Sequence, residues 1–205
     1  MCYYKEIIKE IASKTDSDGR NVRTYYRGEN KKFNTVSSKL YRYLSCLGKR
    51  EGVWNNKSDD EKEQFLFSFE KRIIGYVKRF GGYAGEDYSL KDRNCAEDFS
   101  SKQLQLLADV QHRGGMTNFI DFTMDVNIAL FVACYNSDYS LWKQHSLRYS
   151  DEDGRVVLYR HIYSDIKEPE HDVVMFPEIA YSRMQSSVLV RPKTYGVIDI
   201  GSDFV

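Results

Sequence analysis

The stretch Gln111-His112-Arg113-Gly114-Gly115-Met116-Thr117-Asn118-Phe119-Ile120-Asp121-Phe122-Thr123 most constrains what this chain can fold into. It gathers two amides, an imidazole, a guanidinium, two hydroxyls and a carboxylate around a double glycine, between one apolar helical run and another. Burying such a cluster is costly unless each polar group finds a partner or the cluster lines a site. The fold must therefore either pair these groups internally or open them to a ligand.

The remaining composition permits a core around such a site. A chain of 205 residues with 41% hydrophobic and 14% aromatic content fits one domain with a small accessory helix. Three prolines and thirteen glycines exclude a low-complexity chain. Thirty basic and thirty acidic residues cancel, so no global field advertises nucleic acid, although local basic patches are compatible with neutrality. Cys2, Cys46, Cys95 and Cys134 lie far apart without CxxC or zinc spacing, so no metal is expected, and Cys134 reads as a small core residue. The N-terminus is charged and lacks an apolar signal core, and no run approaches membrane-spanning length. The expectation is a cytoplasmic protein with free thiols and no membrane partner.

Periodicity predicts an amphipathic helix over residues 3–14, with Tyr4, Ile7, Ile8 and Ile11 on one stripe. Residues 22–28 carry β-favouring types, and period-2 geometry sets Arg23, Tyr25 and Arg27 on one face and Val22, Thr24 and Tyr26 on the other. A helix over 59–80 opens on a capping box at Ser58–Glu61 and repeats Leu66, Phe69, Ile73, Val77 and Phe80. Residues 82–100 read as a loop. A helix over 101–113 carries Leu104, Leu107 and Val110 inward and stops at Gly114-Gly115. Another, over 125–136, turns Val126, Ala129, Leu130 and Ala133 inward. Short β runs follow at 155–163, 171–176, 186–191 and 194–200. Helices in the first two thirds and strands mostly in the last third predict an α+β fold.

Taken singly, the polar segments have ordinary readings beside functional ones. Arg27 is a surface arginine before a turn glycine, or a guanidinium fork held on a strand for a phosphate or carboxylate, with Gly28 allowing close approach. His112 is a group stabilised at a helix C-terminus, or a catalyst. Thr123 and Asp125 suit helix capping, whereas Asp121, between Ile120 and Phe122, is harder to assign to the surface. Arg183-Met184-Gln185 reads as polar residues leading into a strand, and Lys31-Lys32 and Arg191-Pro192-Lys193 read as solvated charges. P-loop, GxSxG and HExxH motifs are absent.

In order along the chain, the pieces resemble the FRG domain family. The resemblance rests on Tyr25-Tyr26-Arg27-Gly28-Glu29, then Ser37-Ser38-Lys39-Leu40-Tyr41-Arg42, then Phe69-Glu70 in the long helix. It continues through Gln111-His112-Arg113-Gly114, Thr117, Asp121-Phe122-Thr123, the alanine-containing helix Ala129–Ala133 and Arg183-Met184-Gln185. The series covers about residues 22–190, which sets residues 1–21 apart as an accessory helix and 22–205 as the FRG-like domain. Met116, Asn118, Phe122 and Gly115 stand where the family has proline, arginine, tryptophan and a large apolar residue.

The resemblance implies an ADP-ribosyltransferase-like split β-sheet and a toxin or phage-defence setting. It implies NAD as substrate, with Arg27, His112, Asp121 and Gln185 as catalytic residues. Tyr26, Arg27, Gly28, Gln111, Thr117, Thr123 and Arg183 would bind the dinucleotide, and Glu178 is the nearest carboxylate upstream of Gln185. The expected chemistry is cleavage of the nicotinamide–ribose bond through an oxocarbenium-like transition state. The acceptor would be an RNA or DNA base, or a protein, and an antitoxin protein is a further partner. Hydrolysis of NAD, and a non-catalytic module sensing a nucleotide, nucleic acid or phage protein, are the alternatives.

Overall fold

The computed structural model describes residues 2–15, 22–33, 35–51, 54, 56–80, 99–136, 148–149, 153–162, 173–176, 186–192 and 196–198. Residues 82–98 of the loop predicted over 82–100, and Glu178, Arg183, Met184 and Gln185, lie outside the described residues.

Five antiparallel strands form the main sheet. They are β1 (Val22–Glu29), β3 (Ile120–Thr123), β6 (Arg155–Ile162), β7 (Val173–Met175) and β8 (Ser187–Arg191), in the order β6-β1-β3-β8-β7. β1 pairs with β6 along its whole length, from Val22↔Ile162 to Glu29↔Arg155. With β3 it shares a single pair, Tyr26↔Thr123. Two small two-stranded sheets join β2 (Val36–Ser37) to β9 (Val197–Ile198) and β4 (Tyr135–Asn136) to β5 (Arg148–Tyr149). The α+β fold expected from the order of helical and strand patterns is present as a mixed fold with antiparallel sheets.

Among the described residues five helices complete it: α1 (Cys2–Thr15), α2 (Lys39–Glu51), α3 (Asp59–Phe80), α4 (Ser101–His112) and α5 (Val126–Cys134). One sheet face carries α1, α3, α4 and α5. Ile11 of α1 and Ala129 and Ala133 of α5 pack on Val156 and Leu158, with Tyr26 beside them. Ile74 of α3 and Leu106, Leu107 and Ala108 of α4 pack on Phe119 and Leu189. The opposite face turns Tyr25, Phe122, Val157, Val188 and Val190 toward Val36 and Ile198 of the small β2–β9 sheet. No helix among the described residues is long and apolar enough to cross a membrane.

Local signals account for the helix ends. The Ser58–Glu61 capping box is formed: Ser58 N donates to Glu61 Oε2 at 2.7 Å, and Glu61 N to Ser58 Oγ at 3.3 Å. These bonds hold the Glu61 carboxyl below its ordinary range. α4 ends as a Schellman motif, with Gly114 at φ +85° and the Gly115 and Gly114 amides donating to the Val110 and Gln111 carbonyls. A Cβ on Gly115 would lie 2.3 Å from Val110 Cγ1, so the family's large apolar residue would not fit this turn as it stands.

Several expectations need correction. α2 and the short strand β3 were not predicted from the sequence, and the helix expected over 125–136 gives way to strand at Tyr135. Phe80, placed on the inner stripe of α3, is 74% exposed, while Glu70 takes a fully buried position on that helix. On α4 the buried positions are Gln103, Leu106, Leu107 and Ala108, so the inner stripe is rotated from the expected Leu104–Leu107–Val110. Cys134 is exposed because α5 turns Ala129 and Ala133 inward instead. Arg191 is no solvated charge: it pairs with Glu70 and lies over the Phe99 and Phe119 rings.

Gly28 explains how closely α5 approaches the sheet. A Cβ there would sit 2.0 Å from the Ala129 carbonyl oxygen and 2.8 Å from the Ala133 amide nitrogen, both rigid backbone. Gly28→Ala is therefore expected to destabilise the protein by about 3 kcal/mol or more. Urea denaturation checks this, and an unchanged midpoint would refute the contact. Ser58→Ala should cost about 1 kcal/mol by the same assay. Because the Glu61 carboxyl is depressed, its share of the cap is complete above the ordinary carboxylate range. That share is lost as pH falls through the lowered value, so the Ser58→Ala penalty should shrink in acid.

Candidate functional site

The site is built where β1 and β3 part. Arg27 and Glu29 lie two residues apart on one face of β1, and Arg155 stands directly across from Glu29 on β6. The buried Glu29 carboxylate accepts from both guanidiniums, from Arg27 Nε at 3.2 Å through Oε1 and from Arg155 Nε at 2.8 Å through Oε2. One carboxylate thus compensates two arginines in a region where an unpaired charge would be expensive. With Nε committed, Arg27 Nη1 donates to the Asp121 carbonyl at 2.9 Å. Beyond the single β1–β3 backbone pair, a side chain thus joins the two strands.

The 111–123 block supplies the opposite wall. Thr117 Oγ1 donates to Gln111 Oε1 at 2.9 Å, and Gln111 Nε2 donates to Asp121 Oδ2 at 2.9 Å. The amide is oriented by the first bond, so its N–H faces the carboxylate. Thr117 is fully buried and also accepts from Phe119 N at 3.3 Å, whereas Asp121 is exposed. Glu70 braces the turn from behind: its Oε1 accepts from Asn118 N at 2.7 Å, and its Oε2 pairs with Arg191 Nη2 at 2.6 Å. Lys39 Nζ donates to the Gly114 carbonyl at 2.9 Å and ties α2 to the same turn.

Arg42 brings a second guanidinium to the site. Ser38 caps α2 by accepting from Tyr41 N at 3.0 Å, and Arg42, in that first turn, donates back to the Ser37 carbonyl. Arg42 is exposed as a residue, yet neighbouring protein partly desolvates its guanidinium. That desolvation, followed by the like charge of Arg27, lowers the Arg42 pKa from its ordinary value, while Glu29 and Asp121 oppose the shift. An arginine remains charged under these influences. Arg27, Arg42, Glu29 and Asp121 therefore share one electrostatic neighbourhood, with Gln111 and Thr117 adjoining it.

The predicted site residues divide accordingly. Arg27, Gln111 and Thr117 converge on Asp121 from two sides, Arg27 at its backbone carbonyl and Gln111, held by Thr117, at its carboxylate. Tyr26 and Gly28 do not, because strand alternation turns them to the helix-covered face, where Tyr26 packs in the α1–α5 cluster and the close approach at Gly28 is to α5. Thr123 is buried, and its hydroxyl accepts from Asp125 N at 3.1 Å in the turn that leads into α5, with Asp125 as the helix cap. His112 is half-buried in the last turn of α4, and the side chain that Asp121 engages is Gln111. Glu29, Arg42 and Glu70 were not assigned roles from the sequence, although each stands in a segment that carries the family resemblance.

The arrangement can do two things chemically: hold an anion with two fixed guanidinium forks, and present an oriented carboxylate beside it. Comparison with known proteins gives one family match: a model described as FRG domain covers residues 22–140, more than half of the chain. No curated protein and no solved structure matches.

Glu29→Gln removes the charge that compensates Arg155 and is expected to cost about 3 kcal/mol, with Glu29→Asp recovering part of the loss. Equal denaturation midpoints for wild type and Glu29→Gln would show that the shared carboxylate does not hold the two strands.

Proposed function

The chain belongs to the FRG domain family, and from that membership and the site at Arg27 we propose that it is an NAD-dependent ADP-ribosyltransferase, acting as a toxin or phage-defence effector on nucleic acid or protein. The observation that carries the proposal is a pair of neighbouring guanidiniums, Arg27 bonded to the Asp121 backbone carbonyl and Arg42 within electrostatic range of both Arg27 and the exposed Asp121. A dinucleotide needs both kinds of group. Its pyrophosphate is a dianion suited to two arginine forks, and its reacting ribose develops positive charge that a carboxylate stabilises.

In this reading Arg27 and Arg42 grip the pyrophosphate. Gln111, positioned by Thr117, holds Asp121 toward the ribose. The nicotinamide–ribose bond breaks with its electron pair leaving on nicotinamide, and a lone pair of the acceptor attacks the ribose carbon while its proton passes to solvent. If water is the acceptor, the same site is an NAD glycohydrolase. The parting of β1 from β3 after one pair supports reading the sheet as the split sheet of ADP-ribosyltransferases. The toxin or defence setting rests on the family resemblance alone.

A second reading is favoured by the bonds Arg27 already makes to Glu29 and to the Asp121 carbonyl. An arginine so engaged suits a non-catalytic sensor that binds a nucleotide without cleaving it. Purified protein incubated with labelled NAD, alone and with RNA, DNA or a cell lysate, separates the two. Arg42→Ala should weaken NAD binding at least tenfold, the loss of a charge-assisted bond. Asp121→Asn should leave binding intact and slow nicotinamide release about a hundredfold. NAD that binds but is never cleaved would establish the sensor, and NAD that neither binds nor reacts would refute both.

A further inference from the structure

The solvent side of α3 gathers cations and open rings along its second half. The buried positions of this helix are Leu66, Glu70 and Ile74, and Ile73 and Val77 pack against the α4 cluster beside Ile74. Arg72, Tyr76, Arg79 and Phe80 recur at helical spacing along another side, and all four are exposed. Tyr76 is 65% exposed and Phe80 74%, so most of each ring meets solvent. The two rings lie near parallel, at 17°, with centroids 6.3 Å apart, and the Arg79 guanidinium sits 5.5 Å from the Phe80 centroid. From residue 71 to 80 the charged residues are Lys71, Arg72, Lys78 and Arg79, with no carboxylate among them. The carboxylates of α3 all precede Lys71, and Glu70, the nearest of them, is buried against Arg191. A chain without net charge thus carries a local basic face on this helix.

We propose that this side of α3 docks single-stranded nucleic acid, with Arg72 and Arg79 on its phosphates and unpaired bases on Tyr76 and Phe80. Charge complementarity selects a polyanion, and the two open rings select the kind. Exposed aromatic rings flanked by arginines offer π-faces to unpaired bases and cations to the phosphates between them. A duplex keeps its bases stacked on one another and meets only the cations. An acidic peptide likewise leaves the rings bare. An anionic membrane takes up a helix by its aliphatic stripe, and here that stripe is committed to the core, because Ile73, Ile74 and Val77 pack against Leu106, Leu107 and Phe119. The binding needs no NAD and stands apart from the proposed reaction.

The test is fluorescence anisotropy of the full chain with three labelled probes: a short single-stranded oligonucleotide, its abasic counterpart and the matching duplex. The single strand should bind, with the abasic strand and the duplex each about tenfold weaker or more. Tyr76→Ala and Phe80→Ala truncate exposed rings without disturbing the core, and each should weaken the single strand about tenfold. Tyr76→Phe, which keeps the ring, should bind like the wild type. Arg72→Ala and Arg79→Ala should each lower the slope of log affinity against log salt by about 0.7. No binding to the single strand, equal affinity for the abasic strand, or unchanged affinity in both ring-truncated variants would each overturn the proposal. Displacement of the strand equally well by phosphatidylserine vesicles or by polyglutamate would assign the face to a membrane or to an acidic peptide and overturn it too. Nicotinamide release measured separately keeps this inference distinct from the transferase: cleaved NAD without oligonucleotide binding defeats only the docking surface, and base-dependent binding without cleavage defeats only the transferase.

Discussion

The candidate site depends on one shared carboxylate. Glu29 sits buried at the end of β1 and accepts from Arg155 on one side and Arg27 on the other. Remove it and two guanidiniums face each other across a strand pair with no anion between them. Because Arg27 Nε is fixed by Glu29, its Nη1 is aimed along the sheet at the Asp121 carbonyl. A single ion-pair network thus joins β6, β1 and β3. The orientation of the most conspicuous charged residue in the chain is a consequence of that network and not of its own strand alone.

A second network meets the first at Asp121. It begins at Glu70 on α3, which holds the Asn118 amide, and passes through Thr117 and Gln111 to the Asp121 carboxylate. Each step satisfies a polar group that burial would otherwise penalise, which is how the costly 111–123 block is tolerated between two helices. The satisfied groups face inward, and the last one, Asp121, is exposed. A cluster that spends its inner bonds on structure and leaves its final carboxylate accessible has the organisation of a preoriented binding site.

Much of this was readable in the sequence, and the parts that were not share a cause. The bounds of α3 follow from its apolar spacing and the Ser58–Glu61 box, and the α4 stop follows from Gly114-Gly115. These are local signals. β3 carries no such signal, because Ile120-Asp121-Phe122-Thr123 is only four residues and its polar members equally suit a segment that caps the following helix. α2 was equally local, with Ser38 as cap and Leu40 and Leu44 buried one turn apart, yet Arg42 could be weighed as a site residue only once that helix was seen. The Glu29–Arg155 pair spans 126 positions, and no local pattern announces it. The misplacement of Tyr26 and Gly28 has a different origin. Their roles come from the family resemblance, whereas the period-2 alternation of β1 already sets Tyr26 on the face opposite Arg27, and the structure keeps it there.

The most direct test of the account is a crystal structure with a non-hydrolysable NAD analogue. The analogue's pyrophosphate should lie between Arg27 and Arg42, with the nicotinamide ribose facing Asp121 and the Gln111–Asp121 bond intact. An analogue bound away from both guanidiniums, or one whose ribose points away from Asp121, would contradict it.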